Sequence, residues 1–156
     1  MSRVVIAEEC HVINILPPQS ISGAATSDVF SVKDCSHVTI IVQAGSTNAD
    51  AGNITIEECD DFTPTNDTAI AFAYYAEETA AGDTLGSRAA ATVTGIDVSG
   101  NDNLTYIIEI DVEELTEGYE KLILKWSAPG GATLVSAVAI LSGLAFQGDQ
   151  TRTQIA

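Results

Sequence analysis

Imidazole, thiol and indole are all scarce in this sequence: two histidines, three cysteines and one tryptophan are spread over 156 residues. Nucleophilic catalysis needs an activated nucleophile with a base beside it, so the histidines bound the search. His11 follows Cys10, and adjacent strand residues point to opposite faces, which rules out a local dyad. Cys35 and His37 share a face if their segment is extended. No cysteine pair has the C-x-x-C spacing of a zinc or redox motif. The odd cysteine count argues against a disulfide framework and for reduced, buried thiols. Also missing are GxxxxGK[ST], a GxGxxG after a strand, GxSxG and HExxH. These absences predict a protein that is not an enzyme and uses no cofactor and no metal.

Positive charge is equally scarce. Six lysines and arginines face 22 aspartates and glutamates, a formal net charge of −16. Such a field repels phosphate, which predicts no direct nucleic-acid partner and no membrane partner. It suits a solvated acidic exterior or a basic partner surface. The longest apolar run, Ala132–Phe146, is shorter than the roughly 18 residues of a membrane span and is interrupted by Ser136, Ser142 and Gly143. The opening MSRVVIAEEC has too short an apolar stretch for a secretory signal, so the expectation is a soluble chain made in the cytoplasm. Long amphipathic helices are absent too. The alanine-rich stretch 78–93 carries Gly82 and Gly86, which weaken a helix. Asp111–Gly118 is the short-helix candidate, because Glu113, Glu114 and Glu117 suit a first helical turn.

What the chain does have is alternation with the period of a β-strand. Val38, Ile40 and Val42 face one way, His37, Thr39 and Ile41 the other. Leu104, Tyr106, Ile108 and Ile110 alternate with Thr105, Glu109 and Asp111. Leu122, Leu124 and Trp126 oppose Lys121, Ile123 and Lys125, while Ile54 and Ile56 share a face. Phe30 and Val32 oppose Val29 and Ser31. Turn-rich segments separate these runs, at 43–53, 60–68, 77–87, 97–103 and 128–131. Short strands at this spacing predict an all-β protein: a single antiparallel β-sandwich, jelly-roll-like, with Trp126, Leu124 and Tyr106 in its core. Val4–Leu16 reads as an extended ribbon, and Pro17-Pro18 stops its pairing or confines it to a sheet edge. The expected division is an N-terminal arm or edge ribbon over 1–20 and a sandwich over 21–156.

Carboxylates cluster in two places. Glu57 with ECDD (58–61) reads as a solvated loop rather than an acid–base pair, since acid–base work also needs a pocket. Asp97, Ser99 and Asn101 have the alternate spacing of a calcium loop. Asp102 then stands where that loop needs glycine, and Ile108 where it needs a bidentate glutamate.

The segments INILPPQSISGAATSDVFSVKDCSHVTIIVQAG and ITIEECDDFTPTNDTAIAFAYY, with the later YIIEIDVEEL and LVSAVAILSG, resemble small structural proteins of tailed bacteriophages. The resemblance runs from about Ile13 to Gly143 and rests on overall pattern. It implies a virion component, a head decoration (cement) protein on the capsid exterior, with the major capsid protein as partner and self-association as a trimer. Tail, neck or head-fibre components share such folds, and a carbohydrate-binding sandwich is a further alternative. The resemblance carries over no functional residues. The residues expected to meet a partner come from the apolar pattern instead. They are Val4, Val5, Ile6, Ile13 and Ile15 in the ribbon, which could add to a sheet edge, and Val135, Ala137, Ala139 and Leu141 in the strand whose two faces are both apolar.

Overall fold

The computed structural model describes residues 3–46, 50–145 and 153–155. One helical turn, α1 (Ile6–Glu9), precedes twelve strands. These are β1 (His11–Ile21), β2 (Ala25–Thr26), β3 (Phe30–Ser31), β4 (His37–Ala44), β5 (Asn53–Cys59) and β6 (Asp67–Ala69), followed by β7 (Phe72–Ala76), β8 (Ala89–Ala91), β9 (Ile96–Asp97), β10 (Leu104–Asp111), β11 (Lys121–Trp126) and β12 (Thr133–Ser142). The first sheet runs β1-β12-β4-β10-β7-β8, and the second runs β2-β11-β5-β6 with β3 on β11 and β9 on β5. Every pairing is antiparallel.

The pairings are nested. First joins last (β1 with β12), β2 and β3 join β11, β4 joins β10, and β5 joins β6. That is a long hairpin rolled into two layers, the jelly-roll wiring expected from the alternation. β7 and β8 extend the first sheet beyond it.

The core lies between the sheets because alternation delivers one apolar face from each. Val38, Ile40, Val42, Tyr106, Ile108 and Ile110 come from the first sheet; Phe30, Ile54, Ile56, Leu122, Leu124 and Trp126 come from the second. Trp126 is 1% exposed and donates its Nε1–H to the Ala51 carbonyl at 2.8 Å. Both ends of the indole are therefore satisfied, one apolar and one polar. Gly95 has φ of +79°, and a Cβ there would lie 2.0 Å from the Ile54 carbonyl oxygen, so only glycine lets the chain enter β9 against β5.

Of the two forms expected for the N-terminal segment, an arm or an edge ribbon, residues 11–20 take the second, as the edge strand of the first sheet. Residues 11–20 are part of the sandwich, paired with β12 along its length. Of the described residues of this segment, 3–10 lie outside the sheets, and Ile6–Glu9 coil into one helical turn instead of extending. Glu9 Oε1 accepts from the Val5 amide at 3.4 Å, which satisfies one of the free donors at the start of that turn. The register of β1 slips between Asn14 and Leu16 and again between Leu16 and Gln19. The first slip turns consecutive residues Ile15 and Leu16 inward, 1% and 2% exposed. The second holds Pro17 and Pro18, which have no N–H to give a ladder and sit on an edge strand, as expected. The edge is also braced: the Asp28 amide donates to the Ile15 carbonyl at 2.9 Å, and Ser27 exchanges two hydrogen bonds with Leu124. A short link thus closes this side of the sandwich and blunts the β1 edge.

β12 also departs from expectation. Its register against β4 sets Val135 opposite Ala44, Ala137 opposite Val42, Ala139 opposite Ile40 and Leu141 opposite Val38. Directly opposed residues share a face, so these four are core, each no more than 3% exposed. The other face is not covered: Leu134 is 55% exposed, and Val138 and Ile140 are half-buried. The short-helix candidate at 111–118 forms a single 3₁₀ turn, Val112–Glu114.

Candidate functional site

Of the nine residues expected to meet a partner, the structure places six in the chain's own core: Ile13, Ile15, Val135, Ala137, Ala139 and Leu141. Val4 and Ile6 are exposed and Val5 is half-buried, all outside the sheets. The apolar surface that is left open lies elsewhere, on the outer face of the first sheet.

That face is built by register. Across its middle, Asn14 lies beside Val138, Val138 beside Ile41, Ile41 beside Ile107 and Ile107 beside Tyr75. One row along, Val12 lies beside Ile140, then Thr39, then Glu109. Val12 is 48% exposed. The inward partners of these residues fill the core, so alternation leaves the outward set to solvent. An aliphatic stripe therefore crosses the face, with a polar corner at the end where β4 starts and β10 stops.

The corner is a histidine clamp. His37 Nδ1 lies 2.6 Å from Asp111 Oδ1, and Nε2 lies 2.6 Å from Glu109 Oε2. Thr39 donates to the same Glu109 oxygen at 2.8 Å. Partial burial alone would lower the His37 pKa. The hydrogen bonds and negative charges of Asp111 and Glu109 outweigh it and raise the pKa above its ordinary 6.5. A pocket of about 480 Å³ opens beside the clamp, lined by Cys35, Ser36, His37, Asp111, Val112 and Glu113. Cys35 and His37 do come together, but not as a dyad. The thiol donates to the Val32 carbonyl at 3.3 Å, and burial with the charge of Asp34 pushes its pKa up to about 12. It stays a thiol at neutral pH, so it is a poor nucleophile. Each ring nitrogen is engaged by a carboxylate, Nδ1 by Asp111 and Nε2 by Glu109, so neither is turned toward the thiol as a base. Among the described residues, no group of three His, Cys, Asp or Glu is arranged to hold a metal ion.

The acidic clusters disperse. Glu57 pairs with Lys125 at 2.6 Å, while Glu58 turns inward, 4% exposed, to accept from the Thr116 amide at 2.8 Å. Asp60 accepts from Asn66 Nδ2 at 3.0 Å and Asp61 from the Thr63 amide at 2.6 Å. In the calcium-like stretch, Asp97 caps a turn by accepting from the Ser99 amide at 2.9 Å, which lowers its pKa. The clamp carboxylates were hidden in sequence because they lie 72 and 74 residues from His37. The usable signal was their i, i+2 spacing on a half-polar strand, and it needed the β4–β10 register to be read.

No protein-family model matches the chain, and no curated protein matches its sequence. Solved structures similar to it include the SPBc2 prophage-derived protein YomS, at 14% identity and a TM-score of 0.44, covering 85% of this chain and 93% of that one. A chain of infectious bursal disease virus, Gt strain, aligns at 9% identity and a TM-score of 0.29, covering 94% of this chain and 44% of that one. T=1 particles derived from the same virus align at 9% identity and a TM-score of 0.30, covering 94% and 43%. The fold assignment itself rests on the strand pairing described above.

Proposed function

We propose that this chain is a non-enzymatic structural protein of a tailed-phage virion, a decoration (cement) protein that sits on the capsid exterior, self-associates as a trimer and binds the major capsid protein. The observation that carries this reading is the complete jelly-roll wiring, an architecture shared by viral capsid and lectin domains. The pattern resemblance to small phage structural proteins supports the first of those two classes. The carbohydrate-binding alternative loses support because the single tryptophan, Trp126, is buried and cannot stack on a sugar. An enzymatic role has little to draw on at the clamp pocket, where the thiol is held protonated and both imidazole nitrogens are engaged. Val4, Val5 and Ile6 remain free to contact a neighbour.

Purified virions of the phage that encodes the chain provide the test. Quantitative mass spectrometry should find the chain in many copies per particle, and immunogold labelling should fall on heads. Labelling confined to tails would overturn the decoration role. Absence from particles would overturn the virion reading altogether.

A further inference from the structure

Building on the virion reading, we infer that the outer face of the first sheet docks a basic protein partner, one that presents aliphatic or aromatic side chains beside a lysine or arginine. The apolar half of the argument is the stripe of Val12, Ile140, Val138, Ile41 and Ile107, which no segment among the described residues covers. Soluble proteins seldom leave contiguous aliphatic rows across a sheet unless something binds there. The charge half is the composition of the face. None of β1, β4, β7, β8, β10 and β12 carries a lysine or arginine. Arg88 stands one residue before β8, at the sheet edge beyond Tyr75, while the charged side chains at the β4–β10 corner of the stripe are Glu109 and Asp111, with His37 between them, and the Asp111 side chain is 58% exposed. A cation arriving over Asp111 would find a carboxylate and no competing lysine or arginine.

Charge also selects among occupants. A second copy would bring another −16 and a second pair of carboxylates to the same face. Nucleic acid is repelled by the same field. A basic protein surface gains from the field at long range and from the stripe at contact, so salt should slow its association more than it weakens the bound state.

The test uses the full chain and a defined probe, a peptide of alternating leucine and lysine, with a leucine–glutamate peptide as control. Methyl NMR should show the lysine peptide shifting Ile41, Ile107 and Val138, and the glutamate peptide leaving them unmoved. Ile41→Thr with Val138→Thr trims the stripe but keeps β-branching, so the strands should persist. That variant should bind the lysine peptide roughly tenfold more weakly, as expected for central apolar contacts. Glu109→Gln with Asp111→Asn should weaken binding several-fold and flatten its salt dependence. Shifts confined to the second sheet, or none, would overturn the proposal. So would self-association, seen by sedimentation, that the threonine variant abolishes, since the occupant would then be a second copy. Phage heads separate this proposal from the virion reading. If the threonine variant decorates heads as well as wild type, the face is wrong and the reading stands. If wild type ignores heads while the peptide results hold, the reading fails and the face stands.

Discussion

The two sheets bury one face each in a common core but finish their outer faces differently. The second sheet places Lys125 between Glu57 and Asp67, and Lys121 over the Phe62 ring at 5.3 Å. Ile123, between those two lysines along β11, is only 6% exposed. Lysine stems cover apolar surface while their charged ends reach water or a carboxylate. The first sheet has no such side chains, and its outward aliphatics stay open. The same alternation thus produces a finished surface on one layer and an unfinished one on the other. What separates them is where three lysines fall: Lys121 and Lys125 are in strands of the second sheet, and Lys33 pairs with Glu120 at 3.5 Å beside it.

The largest expected effect tests the core that both sheets share. Trp126→Ala should cost about 3–5 kcal/mol, read by urea denaturation, because it removes a fully buried side chain and strands the Ala51 carbonyl. A near-neutral result would mean the layers do not depend on a common core. The next test compares the outer faces directly. Ile123→Ala should cost about 2 kcal/mol or more, as at a buried site, and Ile41→Ala about 1 kcal/mol, as at a half-open one. Equal costs would erase the distinction between covered and uncovered faces.

The smallest effects should differ in their pH dependence. His37 has a raised pKa, so the stability it adds is full below its ordinary 6.5 and is lost as pH rises through its folded value. Asp67 is the reverse: its hydrogen bond from Lys125 lowers its pKa below the ordinary 3.8, so its contribution is present above that value and lost as pH falls through the folded one. Between about pH 5 and 8, His37→Asn should therefore lose less and less melting temperature relative to wild type as pH rises, while the effect of Asp67→Asn stays constant. Both groups are substantially exposed, so each effect should be under about 1 kcal/mol and shrink in salt. A pH trend shared by both variants would show that the clamp and the lysine pair are not independent features of separate sheets.

The sequence made the sandwich legible wherever alternation was one-sided. His37–Ala44, Leu104–Asp111 and Lys121–Trp126 each declare an inner face, and the structure keeps it. It was ambiguous where both faces of a strand are apolar. In β12, Val135 and Leu134 differ only by register against β4, a contact nearly a hundred residues away, so pattern alone could not tell the inner face from the outer. The slips in β1 were similarly hidden, because a bulge is decided by the partner strand. The clamp was half visible: His37 stood out for its rarity, whereas Glu109 and Asp111 were two carboxylates among 22.

The nested pairing has a consequence for the order in which the chain can be built. β12 lies between β1 and β4, so the first sheet stays split until residues 133–142 have left the ribosome. At the usual ~5–20 residues per second of synthesis, β1 and β4 wait several seconds for the strand that joins them. During that interval β4, flanked in the finished sheet by β12 and β10, has two open edges until β10 emerges and one thereafter, beside the apolar row of Val38, Ile40 and Val42. Such intermediates invite exchange of strands between nascent chains. Pro17, Pro18 and the slipped register of β1 make the other waiting strand a poor template for that exchange. Features that shape one edge of the finished sheet thus also guard the unfinished chain.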